Sequence, residues 1–200
     1  MYNMYNLIIY RVGDVMGDVF NSVSLKYAYR LLHPKLTALI ACYDEYNVPN
    51  AMTAAWIMPV SVNPPLIVVS ISPKRYTYEL ILKAKIFSVN IPSLNMLKKV
   101  HLCGTISGRE IKNKLKRIGL TTINGRKLNV PIIEECIAFL ECKLWENIVT
   151  GDHNLIIGKI IDAYVRDNIF DARYDISKIS LIYHCGGNIY TKLTNNIIRV

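Results

Sequence analysis

The chain has 200 residues, of which 52% are hydrophobic and 20% charged, and its formal net charge is +9. A chain of this length buries enough apolar surface to fold without metals or disulfides, and its composition excludes intrinsic disorder. Its longest apolar run, at residues 64–71, is too short to cross a bilayer, and the N-terminus lacks the basic segment of a signal peptide, so we expect a cytoplasmic protein.

Short segments rich in β-branched and aromatic residues recur along the chain and predict strands. They span residues 36–42, 53–58, 66–72, 86–91, 137–145, 155–165 and 180–185. Pro64 with Pro65, and Asn124 with Gly125, are turn signals between them. Because no linker or internal repeat interrupts this pattern, we expect one domain, with residues 1–28 as an N-terminal extension and residues 29–193 as the core.

Helical signals are fewer. One helix is predicted to begin after Thr77 and to turn three residues inward: Leu80, Ile81 and Ala84. A second is predicted to begin with a capping box between Ser107 and Glu110, to end at Gly119, and to spread three lysines outward: Lys112, Lys114 and Lys116. Strands joined by hairpins and long connections, with few helices outside, predict a closed antiparallel barrel. There is no βαβ alternation and no GxGxxG motif after a strand, which excludes a Rossmann nucleotide site.

The cysteines are odd in number and form no CxxC pair: Cys42, Cys103, Cys136, Cys142 and Cys185. This pattern argues against a disulfide framework and against a zinc ribbon. Cys42, Cys136 and Cys142 fall within strand patterns and are predicted to be core residues. His101 and Cys103 have no further ligands at a suitable spacing, so no metal site is expected.

Much of the positive charge lies between Lys98 and Lys127. No aromatic residue is interleaved among the central cations of this stretch and no nucleic-acid-binding motif occurs, so nucleic acid is not an expected partner. The stretch is predicted to be a solvated basic face, with the alternative that it attracts an anionic, phosphorylated cofactor.

Residues 50–61 combine a run of small residues with an aromatic residue: Thr53, Ala54, Ala55 and then Trp56. Small side chains on a strand allow a flat ligand to approach the backbone, whose N–H and C=O groups can bond to ring heteroatoms. The alternative is tight packing of the strand against its neighbours.

Residues 70–77 bring a strand into a polar loop and then a helix. Ser70, Ser72, Arg75 and Thr77 supply hydroxyls and a guanidinium next to free N–H groups at a helix N-terminus, which together suffice for a phosphate site. The alternatives are that Thr77 is an N-cap residue and that Arg75 is a surface charge.

Taken in order, these segments resemble the flavin-reductase-like family of FMN-binding split barrels, in its flavoredoxin-like branch. The match runs from about residue 29 to residue 193. Its landmarks are residues 32–34, 50–61, 64–67, Arg75 to Thr77 with Glu79, 87–92, 103–104, 107–109, 151–153 with Gly158, and 184–190. The resemblance implies a mainly β fold, an antiparallel Greek-key split β-barrel with a few peripheral α-helices.

The resemblance also implies roles for single residues. Residues 53–56 would line the isoalloxazine ring of FMN, and Asn90 would contact it from the neighbouring strand. The ribityl and phosphate groups would be held by four residues: Ser70, Ser72, Arg75 and Thr77. Cys103 and Ser107 would lie near the cofactor, on the same subunit or across a dimer interface. Residues 112–115 depart from the family's acidic-basic-aromatic pattern, which puts a partner-binding role of this helix in doubt.

Two of these residues invite a chemical role. His153 follows Gly151 and Asp152 in a predicted turn, where it could contact an incoming nicotinamide; the alternative is a turn histidine bonded to the backbone. Cys103 could be redox-active if a helix start lowered the pKa of its thiol; the alternative is a buried structural cysteine.

Two functions remain open. In the first, an enzyme transfers hydride from NADH or NADPH to FMN and passes electrons onward, the flavin supplying the chemistry. In the second, a non-catalytic FMN protein is reduced by a partner protein. A third candidate, a basic nucleic-acid-binding barrel, predicts a salt-dependent affinity for oligonucleotides and no bound flavin.

A homodimer is expected, because a flavin in an open barrel leaves one ring face that a second subunit can cover. Apolar material outside the core fits such an interface, namely residues 7–10, Tyr27, Tyr29, Ile197, Ile198 and Val200. The alternative is that these segments fold back over their own barrel.

Overall fold

The computed structural model describes residues 21–199, and strands dominate this range. The strands are β1 (Lys35–Leu36), β2 (Ala38–Tyr43), β3 (Pro49–Ala54), β4 (Ile57–Ser61), β5 (Leu66–Ile71), β6 (Ile86–Ile91), β7 (Thr122–Asn124), β8 (Pro131–Ile133), β9 (Ala138–Thr150), β10 (His153–Val165), β11 (Phe170–Asp171), β12 (Arg173–Tyr174), β13 (Tyr183–Gly186) and β14 (Ile189–Thr191). The α-helices are α1 (Tyr76–Ala84), α2 (Leu97–Thr105) and α3 (Lys114–Ile118), with 3₁₀ turns at Leu25–Leu32 and Leu94–Met96. Residues 7–10 and Val200, expected at a dimer interface, lie outside the described residues.

A seven-stranded antiparallel sheet in the order β3-β2-β6-β9-β10-β5-β4 forms the body of the molecule. Its two edge strands, β3 and β4, are consecutive in the chain and are joined by only Ala55 and Trp56. Three Cα–Cα steps span at most about 11 Å, so the two edges must approach each other and the sheet must curl into a barrel. The mainly β, antiparallel split barrel expected from the sequence is confirmed. The single strand predicted at residues 53–58 is wrong, because this link interrupts it.

Two hydrophobic cores lie on opposite sides of the sheet, and β2 belongs to both. Its residues Ala38, Ile40 and Cys42 join the core inside the barrel, whereas Leu39 and Ala41 join a second core beneath α2, α3 and the β7–β8 hairpin. Alternate residues of a strand face opposite sides of a sheet, so a strand covered on both sides is apolar throughout. This explains the unbroken apolar run of β2.

The helices differ most from the sequence prediction. Helix α1 begins at Tyr76 with Arg75 as its N-cap residue, so Thr77 lies inside the helix, and Ala84, predicted to face inward, is exposed. Residues 107–113 form turns instead of the predicted helical start, and Asn113 adopts a left-handed conformation (φ 55°) just before the short α3. The end of α3 at Gly119 (φ 78°) agrees with the prediction.

Candidate functional site

The Ala55–Trp56 link forms a seam where several candidate residues meet. The N–H of Ser70 donates to the Trp56 carbonyl at 2.9 Å, which ties the link to the end of β5. Strand β10 begins beside the end of β5, with Leu155 opposite Ser70 and Asn154 opposite Ile71. The seam therefore places Trp56, Ser70 and the first residue of β10, His153, at one corner of the barrel.

Aromatic rings line this corner. The Trp56 ring centroid lies 4.9 Å from that of His153, with the planes tilted by 35°, and 5.4 Å from that of Tyr29 in an edge-on contact. The Lys35 ammonium lies 5.9 Å from the Trp56 ring. His153 Nδ1 is 2.8 Å from the Asp152 carboxylate, and this hydrogen bond lowers the pKa of Asp152. The Asp152 carboxylate and the Trp56 ring thus both contact His153, beside the residues predicted to face a ligand.

The ring contacts continue beyond Tyr29 and take in all four histidines of the chain. Tyr29 contacts His33, which lies 5.5 Å from His184, and His184 lies 5.2 Å from Tyr190. Tyr190 is in turn hydrogen-bonded to His101 at 3.1 Å. Burial lowers the pKa of His33, which favours its neutral form. Sequence reasoning missed this series, because its members come from distant parts of the chain.

The small residues of the 53–56 run divide into two groups. The Thr53 hydroxyl donates to the Val100 carbonyl, and a Cβ at Gly104 would lie 3.2 Å from the Thr53 Cβ, so Thr53 packs against α2. Ala54 belongs to the core inside the barrel. Tight packing, the alternative considered for this run, describes these two residues, whereas Ala55 and Trp56 are half-buried at the seam.

The loop from β5 to α1 presents Arg75 at the start of a helix. Ser70 and Ser72 are half-buried, Arg75 is exposed, and the Arg75 N–H donates to the Ser72 carbonyl at 3.0 Å. The N–H groups of a first helical turn lack partners within the helix. Thr77 departs from the predicted role: it is 2% exposed, and its hydroxyl accepts a hydrogen bond from the Asn50 amide at 2.8 Å. Its hydroxyl therefore supports Asn50 and is not open to a ligand in this conformation.

A cavity of about 380 Å³ lies beside this loop, between the start of β3 and the 107–113 turns. Its lining includes Asn50, Tyr76, Gly108, Arg109, Lys112 and Lys114. A Cβ at Gly108 would clash with the Asn50 side-chain oxygen, so a side chain there would displace Asn50. The Arg109 guanidinium lies 5.5 Å from the Tyr76 ring and pairs with Glu79.

Lys114 is the unexpected member of this cavity. Predicted to point outward, it is 4% exposed, and its ammonium donates to the carbonyls of Cys103 (3.0 Å) and Ile106 (2.8 Å). Burial lowers the pKa of Lys114, and the Arg75 charge lowers it further. No carboxylate within residues 21–199 pairs with Lys114, so carbonyl oxygens near the end of α2 are the main groups that stabilise its charge.

Two other candidate residues, Asn90 and Cys103, present no free polar group to this region. Asn90 is fully buried: its amide donates to the Leu39 carbonyl and the Ser88 hydroxyl, and its oxygen accepts the Ile133 N–H. Its expected contact with the flavin ring stays a prediction. Cys103 is 1% exposed in the second half of α2, and burial raises its pKa to about 11, which agrees with the alternative of a buried structural cysteine. Its expected position near the cofactor stays a prediction.

Ser107 lies in the turns beside the cavity and is half-buried. Its hydroxyl accepts the Arg109 N–H at 3.2 Å. It therefore shapes the loop that lines the cavity, and its expected position near a cofactor stays a prediction.

Within residues 21–199, no group of three or more His, Cys, Asp and Glu side chains is placed to hold a metal ion. In the same part of the chain, no helix has both the length and the apolar character that crossing a bilayer requires.

Comparison with known proteins gives consistent matches. A family model described as the flavin reductase like domain matches residues 30–188. An uncharacterized protein of Archaeoglobus fulgidus is 38% identical over 160 residues, which cover 80% of this chain and 89% of the relative. An FMN-binding protein from Thermus thermophilus with bound 1-cyclohex-2-enone has a TM-score of 0.77 at 29% identity, covering 96% of this chain and 98% of its own. Flavoredoxin of Desulfovibrio vulgaris (Miyazaki F) has a TM-score of 0.76 at 28% identity, covering 84% and 91%. The resemblance drawn from the sequence is confirmed, and the chain belongs to the flavin reductase like domain family.

Proposed function

We propose that this protein binds FMN at the seam and the adjoining cavity, accepts hydride from NADH or NADPH, and passes electrons onward. The observation that carries the proposal is the short loop from Ser70, whose N–H is bonded to the aromatic seam, to Arg75 at the N-terminus of α1, where the cavity with its cations begins. FMN has the matching parts, a planar ring and an anionic phosphate. The FMN-binding protein of Thermus thermophilus, similar over nearly the whole chain, supports this assignment.

The residues present fit the cofactor. Arg75, with Ser72 and the first turn of α1, would hold the phosphate through charge-assisted hydrogen bonds. The small side chain of the half-buried Ala55 would let a flat ring approach the backbone at the seam, next to Trp56. The buried Lys114 ammonium raises the positive potential of the cavity, which favours an anionic ligand.

When bound, FMN supplies the acceptor for hydride, so no side chain has to act as an acid or base in that step. The task of the chain is to orient the nicotinamide donor and to exclude water. His153 and Trp56 offer adjoining aromatic faces for such a planar donor.

We further propose that the protein acts as a homodimer whose second subunit covers the seam. The 3₁₀ segment Leu25–Leu32 supports this proposal, because it buries none of its residues while Leu25 and Leu31 are 90% and 71% exposed. Tyr29 of the same segment contacts Trp56, so this apolar surface adjoins the proposed flavin site. A large exposed apolar patch marks an interaction site.

The test is spectroscopic. Purified protein, reconstituted with FMN and desalted, should retain the flavin absorption bands, and anaerobic addition of NADH or NADPH should bleach them. Protein that retains no flavin after reconstitution would overturn the proposal. Flavin that stays oxidised with both nucleotides, yet bleaches with dithionite, would identify the non-catalytic FMN carrier instead.

A further inference from the structure

The positive charge of the chain is concentrated in one stretch. Residues 97–127 contain nine Lys or Arg residues and one Glu, and so hold eight of the nine net positive charges. The rest of the chain has fifteen basic and fourteen acidic residues and is nearly neutral. A charge needed only for solubility would be spread over the surface, so this concentration points to a local role.

The fold places these cations on one side of the molecule. Helix α2 through Val100, α3 through Leu115 and the β7–β8 hairpin through Ile132 all pack on the second core. Because they share that inner face, their outer faces share one surface, and Lys99 of α2 donates to the Gly119 carbonyl at the end of α3. We call the exposed cations of this surface the basic face: Lys98, Lys112, Lys116, Arg117, Arg126 and Lys127.

The basic face is not neutralised by neighbouring carboxylates. The ion pairs recorded between residues 21 and 199 join Arg109 to Glu79, His153 to Asp152, and Lys178 to Asp175, and none involves the basic face. Unpaired surface cations project their field over about one Debye length, roughly 8–10 Å at physiological ionic strength.

The basic face borders the cavity of the proposed flavin site. Lys112 belongs to both, and Arg109 and Lys114 line the cavity from the same turns and helix. A protein bound to the basic face would therefore lie next to the cavity opening, with little intervening chain.

We propose that the basic face is the docking surface for an acidic electron-transfer protein. This inference rests on the proposed function, because it supplies the route by which electrons leave the flavin. For each NAD(P)H oxidised to NAD(P)⁺, two partner molecules each gain one electron and one proton is released to water. Complementary charge speeds encounter and fixes orientation more than it adds affinity, which suits a transient partner.

Nucleic acid is the competing anionic partner. Proteins that bind single strands stack bases on aromatic side chains between their cations. Within residues 21–199, the aromatic ring recorded against a cation of the basic face is that of Tyr164, and the Arg126 guanidinium already covers it at 4.1 Å. The Tyr164 hydroxyl donates to Glu141. The basic face therefore offers no uncovered ring for a base to stack on.

The experiment uses an acidic Rieske-type [2Fe–2S] ferredoxin, whose reduction potential lies above that of NAD(P)H, and a basic cytochrome c as redox probes of opposite charge. Each is titrated against FMN-loaded protein by calorimetry at low salt. The triple variant K98E, K116E and R117E reverses part of the basic face. The control triple variant K83E, K143E and R173E makes the same change in net charge at exposed positions elsewhere. Neither set includes a residue of the proposed flavin site.

We expect ferredoxin to bind and cytochrome c not to bind. The face variant should weaken ferredoxin binding at least about tenfold and flatten its salt dependence, and the control should change it less than about threefold. NAD(P)H-driven bleaching of the bound flavin should be the same in both variants, while ferredoxin reduction should slow in the face variant alone.

An equal loss of ferredoxin affinity in both variants would show that net charge alone causes the effect, and would overturn the proposal. The absence of ferredoxin binding would also overturn it. Tighter, salt-sensitive binding of a 20-nucleotide DNA would overturn it in favour of nucleic acid. Ferredoxin that binds at the basic face but receives no electrons would leave the docking surface standing and refute the proposed function.

Discussion

At the scale of single residues, Arg75 has surroundings that match its predicted role. It is exposed at the N-cap of α1, and its charge is close enough to Lys114 to lower the pKa of that ammonium. No acidic side chain within residues 21–199 is paired with it, so an anion would face no competitor.

We therefore expect Arg75→Ala to weaken FMN binding roughly ten- to a hundredfold, because charge-assisted hydrogen bonds are about twice as strong as neutral ones. Fluorescence titration of FMN into apoprotein measures the change, and the circular dichroism spectrum should stay unchanged. Arg173→Ala, an exposed arginine in β12, is the matched control. An unaltered FMN affinity in the Arg75 variant would remove this residue from the phosphate site.

The thiols give a second test at this scale. Burial raises the pKa of Cys103 to about 11 and those of Cys42 and Cys142 to about 12, and Cys136 is also buried with a raised pKa. Cys185 alone among the five free cysteines is partly exposed.

At pH 8 the folded protein should thus react rapidly with a disulfide reagent at one thiol, and the remaining four should react only in denaturant. Cys185→Ser should abolish the rapid phase, and Cys103→Ser should leave it intact. Rapid loss of the Cys103 thiol would restore a redox role for that residue.

Residue patterns located the seam but not the cavity. The order of small residues before Trp56 and the loop ending in Arg75 were visible in the sequence. The burial of Lys114 was not visible, because it depends on the 107–113 turns. Hydrophobic periodicity does not predict the left-handed conformation of Asn113 in these turns. Asn50 is the first residue of the 50–61 segment noted in the sequence. Its side chain contacts Thr77 and Gly108, which are distant in the chain, so these contacts could not be predicted.

At the scale of elements, the two alanines of the β3–β4 link should respond differently to the same substitution. Ala54 ends β3 in the core inside the barrel, whereas Ala55 lies in the half-buried link.

Ala54→Leu should lower the free energy of unfolding by about 1–3 kcal/mol through overpacking. Ala55→Leu should instead give a folded protein that retains no FMN, because the added side chain occupies the space of the ring. Denaturant unfolding and the flavin absorbance after reconstitution separate the two effects. If the Ala55 variant retains flavin at wild-type stoichiometry, the ring lies elsewhere.

The connection between β7 and β8 depends on one buried carboxylate. Glu141 of β9 is fully buried and accepts the N–H groups of Arg126, Lys127 and Leu128, and also the Tyr164 hydroxyl. A Cβ at Gly125 would lie 2.8 Å from this carboxylate, so the loop approaches it closely.

Glu141→Ala should therefore cost about 3 kcal/mol or more of unfolding free energy, since it leaves buried donors without an acceptor. Glu141→Gln should cost less. Glu146→Ala, an exposed position on the same strand, should change stability by less than about 0.5 kcal/mol. Urea denaturation compares the three variants. A cost at position 141 no larger than that of the control would show that water replaces the carboxylate.

Strands were predictable because burial imposes short apolar segments. Five strands of the barrel appear near their predicted positions, β2, β5, β6, β9 and β10, whereas the two edge strands, β3 and β4, were not separated. The helices were harder to predict from the sequence. Helix α2 was missed because its sequence, Leu-Lys-Lys-Val-His-Leu-Cys-Gly-Thr, has only Val100 and Cys103 buried and contains a glycine, Gly104, one residue before its end. The capping-box pattern at residue 107 occurs in a turn, where its serine caps Arg109 without starting a helix.

At the scale of the whole molecule, the proposed homodimer is the property to measure. Static light scattering at low micromolar concentration should give about twice the 22.8 kDa mass of one chain. Replacing Leu31 and Leu32, which are exposed on the 3₁₀ segment, with Glu should shift the mass toward that of one chain. A monomeric wild-type protein with FMN still bound would refute the dimer and leave the extensions to fold over their own barrel.

The burial of β2 on both of its faces has a consequence for how the protein unfolds. Both faces of this strand are covered by cores, and both of its edges are paired, to β3 and to β6. Neither core can lose its packing while β2 keeps its place, so the barrel and the α2–α3 side should unfold as one cooperative unit. The amide hydrogens in the middle of β2 should then exchange with deuterium only through global unfolding, and their protection should equal the full stability of the protein.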